Sequence, residues 1–154
     1  MSGLVVSNIY WRVVNSPSKF GVHPHSLLFP ETLVDWMDEN RLQGRFFNTY
    51  DTGGYLMWRR PDHLVFTDSR LVSNVVYSDY LAAFRNRGEW DRVANRYQLD
   101  GALMRKNDGG NEERLYNGLK SGSGWIHAYE DARWAFFLSE DYLERVTGRP
   151  PGKK

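Results

Sequence analysis

Two aspartates, an arginine and a set of large rings fall within one short stretch of this chain. Residues 44–70 read GRFFNTYDTGGYLMWRRPDHLVFTDSR and place Asn48, Tyr50, Asp51, Gly53, Gly54, Tyr55, Trp58, Asp68 and Arg70 in close succession. Asp51 and Asp68 can together hold a divalent cation, since hard ions take carboxylate oxygens; a freestanding metal-dependent phosphoesterase would follow. No third acidic ligand stands at a helpful spacing, and no Lys or His is placed beside them as a base. Asp68 and Arg70, two apart, point to the same side of an extended chain and can lock a loop through charge-assisted hydrogen bonds. Gly53–Gly54 opening a helix can cradle a phosphate, but neither a G-x-G-x-x-G run nor a Walker-type lysine accompanies them. Tyr55 and Trp58 flank the turn, where rings stack on a sugar or a peptide.

Other chemistries find less to work with. His23, His25, His63 and His127 are scattered, and a zinc site needs further ligands that the chain does not nominate. No serine sits in a G-x-S-x-G elbow.

The elements that must carry these residues come from hydrophobic periodicity. Residues 45–50 read as a buried strand and residues 63–67 as a second one, so both polar clusters fall at the carboxyl ends of strands, where ligands gather in open α/β sheets. Residues 55–59 fit either a short helix or a strand. Asn48, Tyr50, Asp51, Tyr55, Asp68 and Arg70 are expected to form one connected surface cluster, with Gly53 and Gly54 required because the turn rejects a Cβ.

Around this centre, Pro30 opens a helix over residues 30–40, with Leu33, Trp36 and Met37 on one face. Tyr77, Tyr80, Leu81 and Phe84, then Trp90, Val93, Ala94 and Tyr97, recur at helical spacing, giving two helices, or one broken at Gly88, within residues 73–98. Residues 101–104 read as a strand. Asn111 is the expected cap of a helix whose first turn holds Glu112 and Glu113, opposing its dipole. Residues 125–129 and 132–138 read as a hairpin, and Ser139 caps a last helix ending near Val146. The expected architecture is α/β: a layered sandwich with a mostly parallel sheet, helices on its faces and a C-terminal antiparallel hairpin. Residues 1–29 read as a lead-in or linker, 30–146 as the domain and 147–154 as a disordered tail.

Composition bounds the function classes. A chain of 154 residues is one domain's worth and long enough to bury a core without staples. Twenty lysines and arginines against 19 acids leave a net charge of +1, so no general field draws in nucleic acid. With no cysteine there is neither a disulfide framework nor a thiolate nucleophile. Leu4–Val6 is far too short an apolar run for a membrane span, yet Val5, Val6, Ile9, Tyr10, Trp11, Val13 and Val14 crowd the start as they would after a severed anchor or in an amphipathic first strand or helix.

The run Phe47-Asn48-x-Tyr50-x-x-Gly53-Gly54-Tyr55-Leu56-x-Trp58, followed by Val65-Phe66-x-Asp68-x-Arg70, resembles the C-terminal extracytoplasmic domain of bacterial multipass membrane proteins related to GT-C glycosyltransferases. The block from Asp91 to Asp100, with Arg96, Tyr97 and Leu99 inside it, and the segment after Gly124-Trp125 extend the likeness over residues 29–138. A more distant likeness is to the catalytic subunit of oligosaccharyltransferase, whose W-W-D-Y-G motif corresponds here to Thr49–Gly53, with only Asp51 and Gly53 matching. The resemblance implies a domain on the extracytoplasmic face of the membrane, partnered by the membrane portion of its parent and by a lipid-linked sugar or acceptor. It implies substrate-binding roles for Asn48, Tyr50, Asp51, Gly53, Gly54, Tyr55, Trp58, Asp68 and Arg70. It implies no cofactor, no metal, and no activity for this part alone, since the family's catalytic acids lie in the membrane part. The alternatives from other classes are a freestanding metal-dependent hydrolase and a small carbohydrate-binding module.

Overall fold

A computed structural model of the chain describes residues 29–70, 73–106 and 109–148. The lead-in up to residue 28 and the tail from residue 149 lie outside the described residues.

The order of elements is α1 (Glu31–Glu39), β1 (Phe46–Phe47), α2 (Gly53–Arg59), α3 (Asn74–Ala83), α4 (Arg87–Tyr97), β2 (Gly101–Arg105), α5 (Asn111–Ser121), β3 (Trp125–Glu130), β4 (Trp134–Ser139) and α6 (Glu140–Thr147). The α/β class is as expected. The sheet, however, has four strands in the order β1-β2-β4-β3, and of its three pairings only β1 with β2 is parallel. It is a mixed sheet rather than a mostly parallel one. Two things account for this. β4 inserts between β2 and β3 and pairs antiparallel with both, with a register shift between His127 and Tyr129. The expected strand over residues 63–67 is reduced to a single parallel bridge between Phe46 and Val65.

Strand alternation divides the core. Phe47, Ala102, Met104, Ala135 and Phe137 pack with residues of α3, α4 and α5, among them Tyr80, Trp90, Val93, Leu115 and Leu119. Their neighbours Phe46, Leu103, Trp134, Phe136 and Leu138 pack instead with Leu33 and Met37 of α1 and Tyr142 of α6. Successive strand residues face opposite ways, so each strand feeds both sets. Trp90, Trp134, Phe47, Phe136 and Phe137 are among the largest fully buried side chains.

Helix boundaries follow their caps. Ser73 Oγ accepts the Val76 N–H and starts α3, while Asn86 Oδ1 accepts the Glu89 N–H at 3.0 Å and starts α4. The division therefore falls before Arg87, and Gly88 lies inside the first turn of α4 rather than ending a helix. Pro30 stands at the N-cap position of α1, one residue earlier than expected. Asn111 is the first residue of α5, not its cap; Gly110 takes the cap position, and the Gly109 N–H donates to Glu113 at 2.9 Å. A glutamate reaching back in this way satisfies an orphan donor at a helix start. Ser139 caps α6 as expected, accepting the Tyr142 N–H at 3.1 Å.

Ion pairs tie the elements together. Asp79 of α3, 5% exposed, accepts from Tyr97 Oη at 2.8 Å and meets Arg92 and Arg96 of α4 at 3.1 Å each. Burial alone would raise its pKa, but these donors outweigh burial and lower it. Arg96 and Tyr97 belong to the block that ends at Asp100, which itself accepts the Arg45 N–H at 2.8 Å and pairs with Arg145. That block thus holds α4 against its neighbours. At the other margin Glu130 meets Lys106, and it meets Lys120 and Tyr116 of α5 at 3.1 Å each. The Lys106 bond foremost, with Lys120 and Tyr116, lowers Glu130 from 4.5 to about 2.

A carboxylate lowered on folding stabilises the fold above its unfolded pKa and loses that contribution as pH falls through its folded one. Denaturant unfolding of the wild type and of Glu130→Gln is expected to show the wild type more stable at pH 7. The difference should shrink as pH falls from 4.5 to about 2. A difference that stays constant across that window would remove Glu130 from the pH response.

Candidate functional site

The candidate site is built on a strand that stops after two residues. Beyond Phe47, the Asn48 side chain takes over the pairing. Its Nδ2 donates to the carbonyl of Thr67 at 2.8 Å, and its Oδ1 accepts the Phe66 N–H at 2.7 Å. A carboxamide has the donor and acceptor of a peptide group, so it stands in for the missing strand residue and fixes residues 66–67 beside β1. Asn48 is 1% exposed and all its capacity is spent inward. It holds the site and is closed to any ligand.

The turn that follows is tied by Thr49 and Thr52, both fully buried. The Thr52 N–H and Oγ1 donate to the Thr49 carbonyl at 3.1 and 2.8 Å, and Thr49 Oγ1 donates to Asp51 at 2.8 Å. Gly53 then opens α2 pressed against the second segment. A Cβ there would lie 2.1 Å from the Thr67 carbonyl oxygen and 2.7 Å from the Asp68 Cβ. Tyr50 adds a third link, its hydroxyl donating to the Ser69 carbonyl at 3.0 Å, while its N–H donates to Tyr80 Oη at 3.2 Å. Burial pushes the Tyr80 phenol up to about 12.

Asp68 and Arg70 form the expected pair. Arg70 Nε and Nη2 donate to the two carboxylate oxygens at 2.9 Å each, and its N–H donates to Oδ1 at 2.8 Å. These bonds hold the Asp68 carboxyl below the usual carboxylate range. Asp68 is buried, whereas the Arg70 side chain is 65% exposed and its Nη2 also reaches Met57 Sδ at 3.2 Å. Asp51 does not join this pair. It turns to Arg105 at the end of β2, whose guanidinium lies over the Trp134 ring at 5.2 Å.

The two segments are thus laced together as expected, but not as one exposed cluster. Tyr55 is 6% exposed and stacks on Phe29 with centroids 5.0 Å apart, so burial raises its phenol and removes it from solvent. A Cβ on Gly54 would meet nothing within 4 Å, which corrects the expectation that both glycines are sterically required. Trp58 stays at the surface, 66% exposed. A cleft of about 400 Å³ is lined by Met57, Asp68, Arg70, Ser73, Val76 and Tyr77 among others. Leu64 and Val75 are also exposed, at 80% and 55%.

Sequence reasoning missed Arg105 and Tyr80, the partners of Asp51 and of the Tyr50 N–H. For Arg105 a signal existed: a charged residue closing the buried run Gly101–Met104 marks the strand end at which Asp51 also falls. Tyr80 read only as one apolar face position of a helix.

No protein-family model, curated protein or solved structure matches the chain.

Among the described residues, no group of three or more His, Asp or Glu stands close enough to hold a metal ion. Asp51 and Asp68, the two expected carboxylate ligands, are each matched by a separate guanidinium. A cation would have to displace Arg105 or Arg70. Calorimetric titration with magnesium, manganese and calcium is expected to show no micromolar binding, and micromolar binding abolished by Asp51→Ala would favour the metal-dependent hydrolase instead.

The glycines give a sharper test. Gly53→Ala drives a Cβ into backbone and is expected to destabilise the fold by about 1–3 kcal/mol or more. Gly54→Ala, in open space inside a helix, is expected to be neutral or to stabilise by about 0.5–1 kcal/mol. Equal losses in thermal or denaturant unfolding would refute the close approach at Gly53.

Proposed function

We propose that the chain is an extracytoplasmic C-terminal domain of a membrane-embedded GT-C-type glycosyltransferase-like protein. In this reading it assists acceptor or donor binding, or supports the membrane catalytic part, and has no activity alone. The observation that carries the proposal is the division of labour within residues 48–70. Asn48 and Gly53 are consumed in holding the two segments together, Thr49 and Thr52 in tying the turn between them, and Tyr55 is buried against Phe29. What they present outward is an arginine fixed by a buried carboxylate, in the wall of an open cleft that Met57, Leu64, Val76 and Tyr77 also line. A cationic fork next to apolar and aromatic surface suits a ligand that is anionic at one point and greasy at another, as a lipid-linked sugar is. The same face suits the membrane portion of the parent.

The resemblance of Phe47–Trp58 and Val65–Arg70 supports the family reading. The finer architecture, a layered sandwich closed by a C-terminal hairpin, belongs with it and is supported by the two core sets and by the β3–β4 pairing. Among the described residues no helix is long and apolar enough to cross a membrane, so the reading places any spans elsewhere in the parent. The phosphoesterase alternative is less favoured because both carboxylates are held by arginines.

The complete open reading frame, expressed in its native host, tests the proposal. The product is expected to resist alkaline carbonate extraction from membranes and to expose this domain to protease added outside spheroplasts. A carbonate-soluble product, or a protected domain, overturns the reading. Within such a parent, Trp58→Ser is expected to lower transfer of sugar while changing domain stability by less than about 0.5 kcal/mol, as for an exposed side chain.

A further inference from the structure

A second and larger cleft lies at the opposite end of the sheet. Asn48 and Gly53 follow the carboxyl end of β1, which runs parallel to β2. The second cleft, about 680 Å³, opens instead where β2 begins, where β3 begins and where β4 ends. Its volume is within the range of small-ligand sites, roughly 300–1,000 Å³. The walls are mainly polar. Arg87, Asp91 and Asn95 of α4 face Trp125 of β3 and Asp141 and Arg145 of α6 across it.

Three features of the lining point to one ligand class. First, the Trp125 ring is a fixed platform: it packs at 5.1 Å on Trp90, which is wholly buried, and remains partly exposed itself. Second, the charged walls are pre-set. Arg87 donates to Asp91 at 2.8 Å and to the Ser123 carbonyl at 2.6 Å, and Arg145 pairs with Asp100. Planar groups held in this way offer aligned donors and acceptors without ordering cost. Third, four carboxylates, Asp91, Asp100, Glu140 and Asp141, stand against the two guanidiniums. That balance disfavours phosphates and uronates.

We infer that this cleft binds a neutral saccharide, with the apolar face of a pyranose ring on Trp125 and its hydroxyls paired with Asn95, Asp141 and the fixed Arg–Asp pairs. A pyranose needs one ring to stack on and several planar groups that both give and take hydrogen bonds, and asparagine, carboxylate and guanidinium together provide them. The site uses none of the residues of the first cleft, and the inference does not rest on a membrane parent.

The test is an assigned amide-resonance titration of the chain with glucose, N-acetylglucosamine, cellobiose and glucuronate in the millimolar range. Expected are shifts at Asn95, Gly124, Asp141 and the Trp125 indole N–H, with glucuronate weaker than glucose. Asn95→Ala and Asp141→Ala should each weaken binding about threefold to tenfold while leaving the spectrum folded. Trp125→Ala should abolish it; because that ring supports Trp90, the two surface variants carry the test should Trp125→Ala fail to fold. Absence of shifts with every neutral sugar overturns the inference. So do shifts confined to Trp58 and Arg70, glucuronate binding at least as well as glucose, or tetralysine moving the same amides when no sugar does.

Discussion

A buried carboxamide does the work of a strand residue, and much of this molecule's candidate chemistry depends on it. β1 is only two residues long, and beyond the single Phe46–Val65 bridge its backbone makes no further pairing to residues 66–67. Asn48 supplies that pairing from within the core, where each of its polar atoms must be matched or carry a desolvation penalty. The Gly53 contact and the Asp68–Arg70 fork lie outward of this amide, which shares their placement with the Tyr50–Ser69 bond and the Phe46–Val65 bridge. The residues of the candidate site are therefore of two kinds: Asn48 and Gly53 set the backbone, and Arg70 and Trp58 face the solvent.

The electrostatic pattern follows the same economy. Acids recur at junctions between elements, each matched by cations from a neighbouring segment: Asp79 between α3 and α4, Asp100 between the start of β2 and α6, Glu130 between β3 and α5, Asp51 between the β1 turn and β2. An acid so matched is weakly available to a metal ion, because the guanidinium or ammonium already satisfies it. The near balance of charge in the whole chain is thus assembled locally, pair by pair.

How much of this was legible in the sequence depends on the range of the interaction. Helices marked by their own spacing and caps, such as Ser139 opening α6 and the 3.6-residue pattern of Trp90, Val93, Ala94 and Tyr97, were readable because the information is local. The division at Asn86 rather than Gly88 was missed because a cap is a stronger determinant than a glycine in a first turn. Sheet order was not readable: Phe46–Phe47 and His63–Thr67 are equally apolar, and nothing local says that β4 will pair with β2. The pair Asp68–Arg70 was legible at a separation of two residues, whereas Asp51–Arg105 joins distant segments and leaves only the strand-end position of Arg105 as a trace. Tyr55 misled for the opposite reason, since a ring beside a turn looks the same in sequence whether it faces water or stacks on Phe29.

The strand order also has a consequence for how the chain closes on itself. β3 and β4 adjoin in sequence and α5 leads directly into them, so the C-terminal half can assemble from short loops. β1 must instead reach β2 across the whole of α3 and α4, and its two residues give few contacts to offset the entropy of that long closure. Residues 48–70 hang from this slender junction, so the candidate site is tied to the rest of the sheet by the pairing that spans the longest stretch of chain and has the fewest residues to hold it.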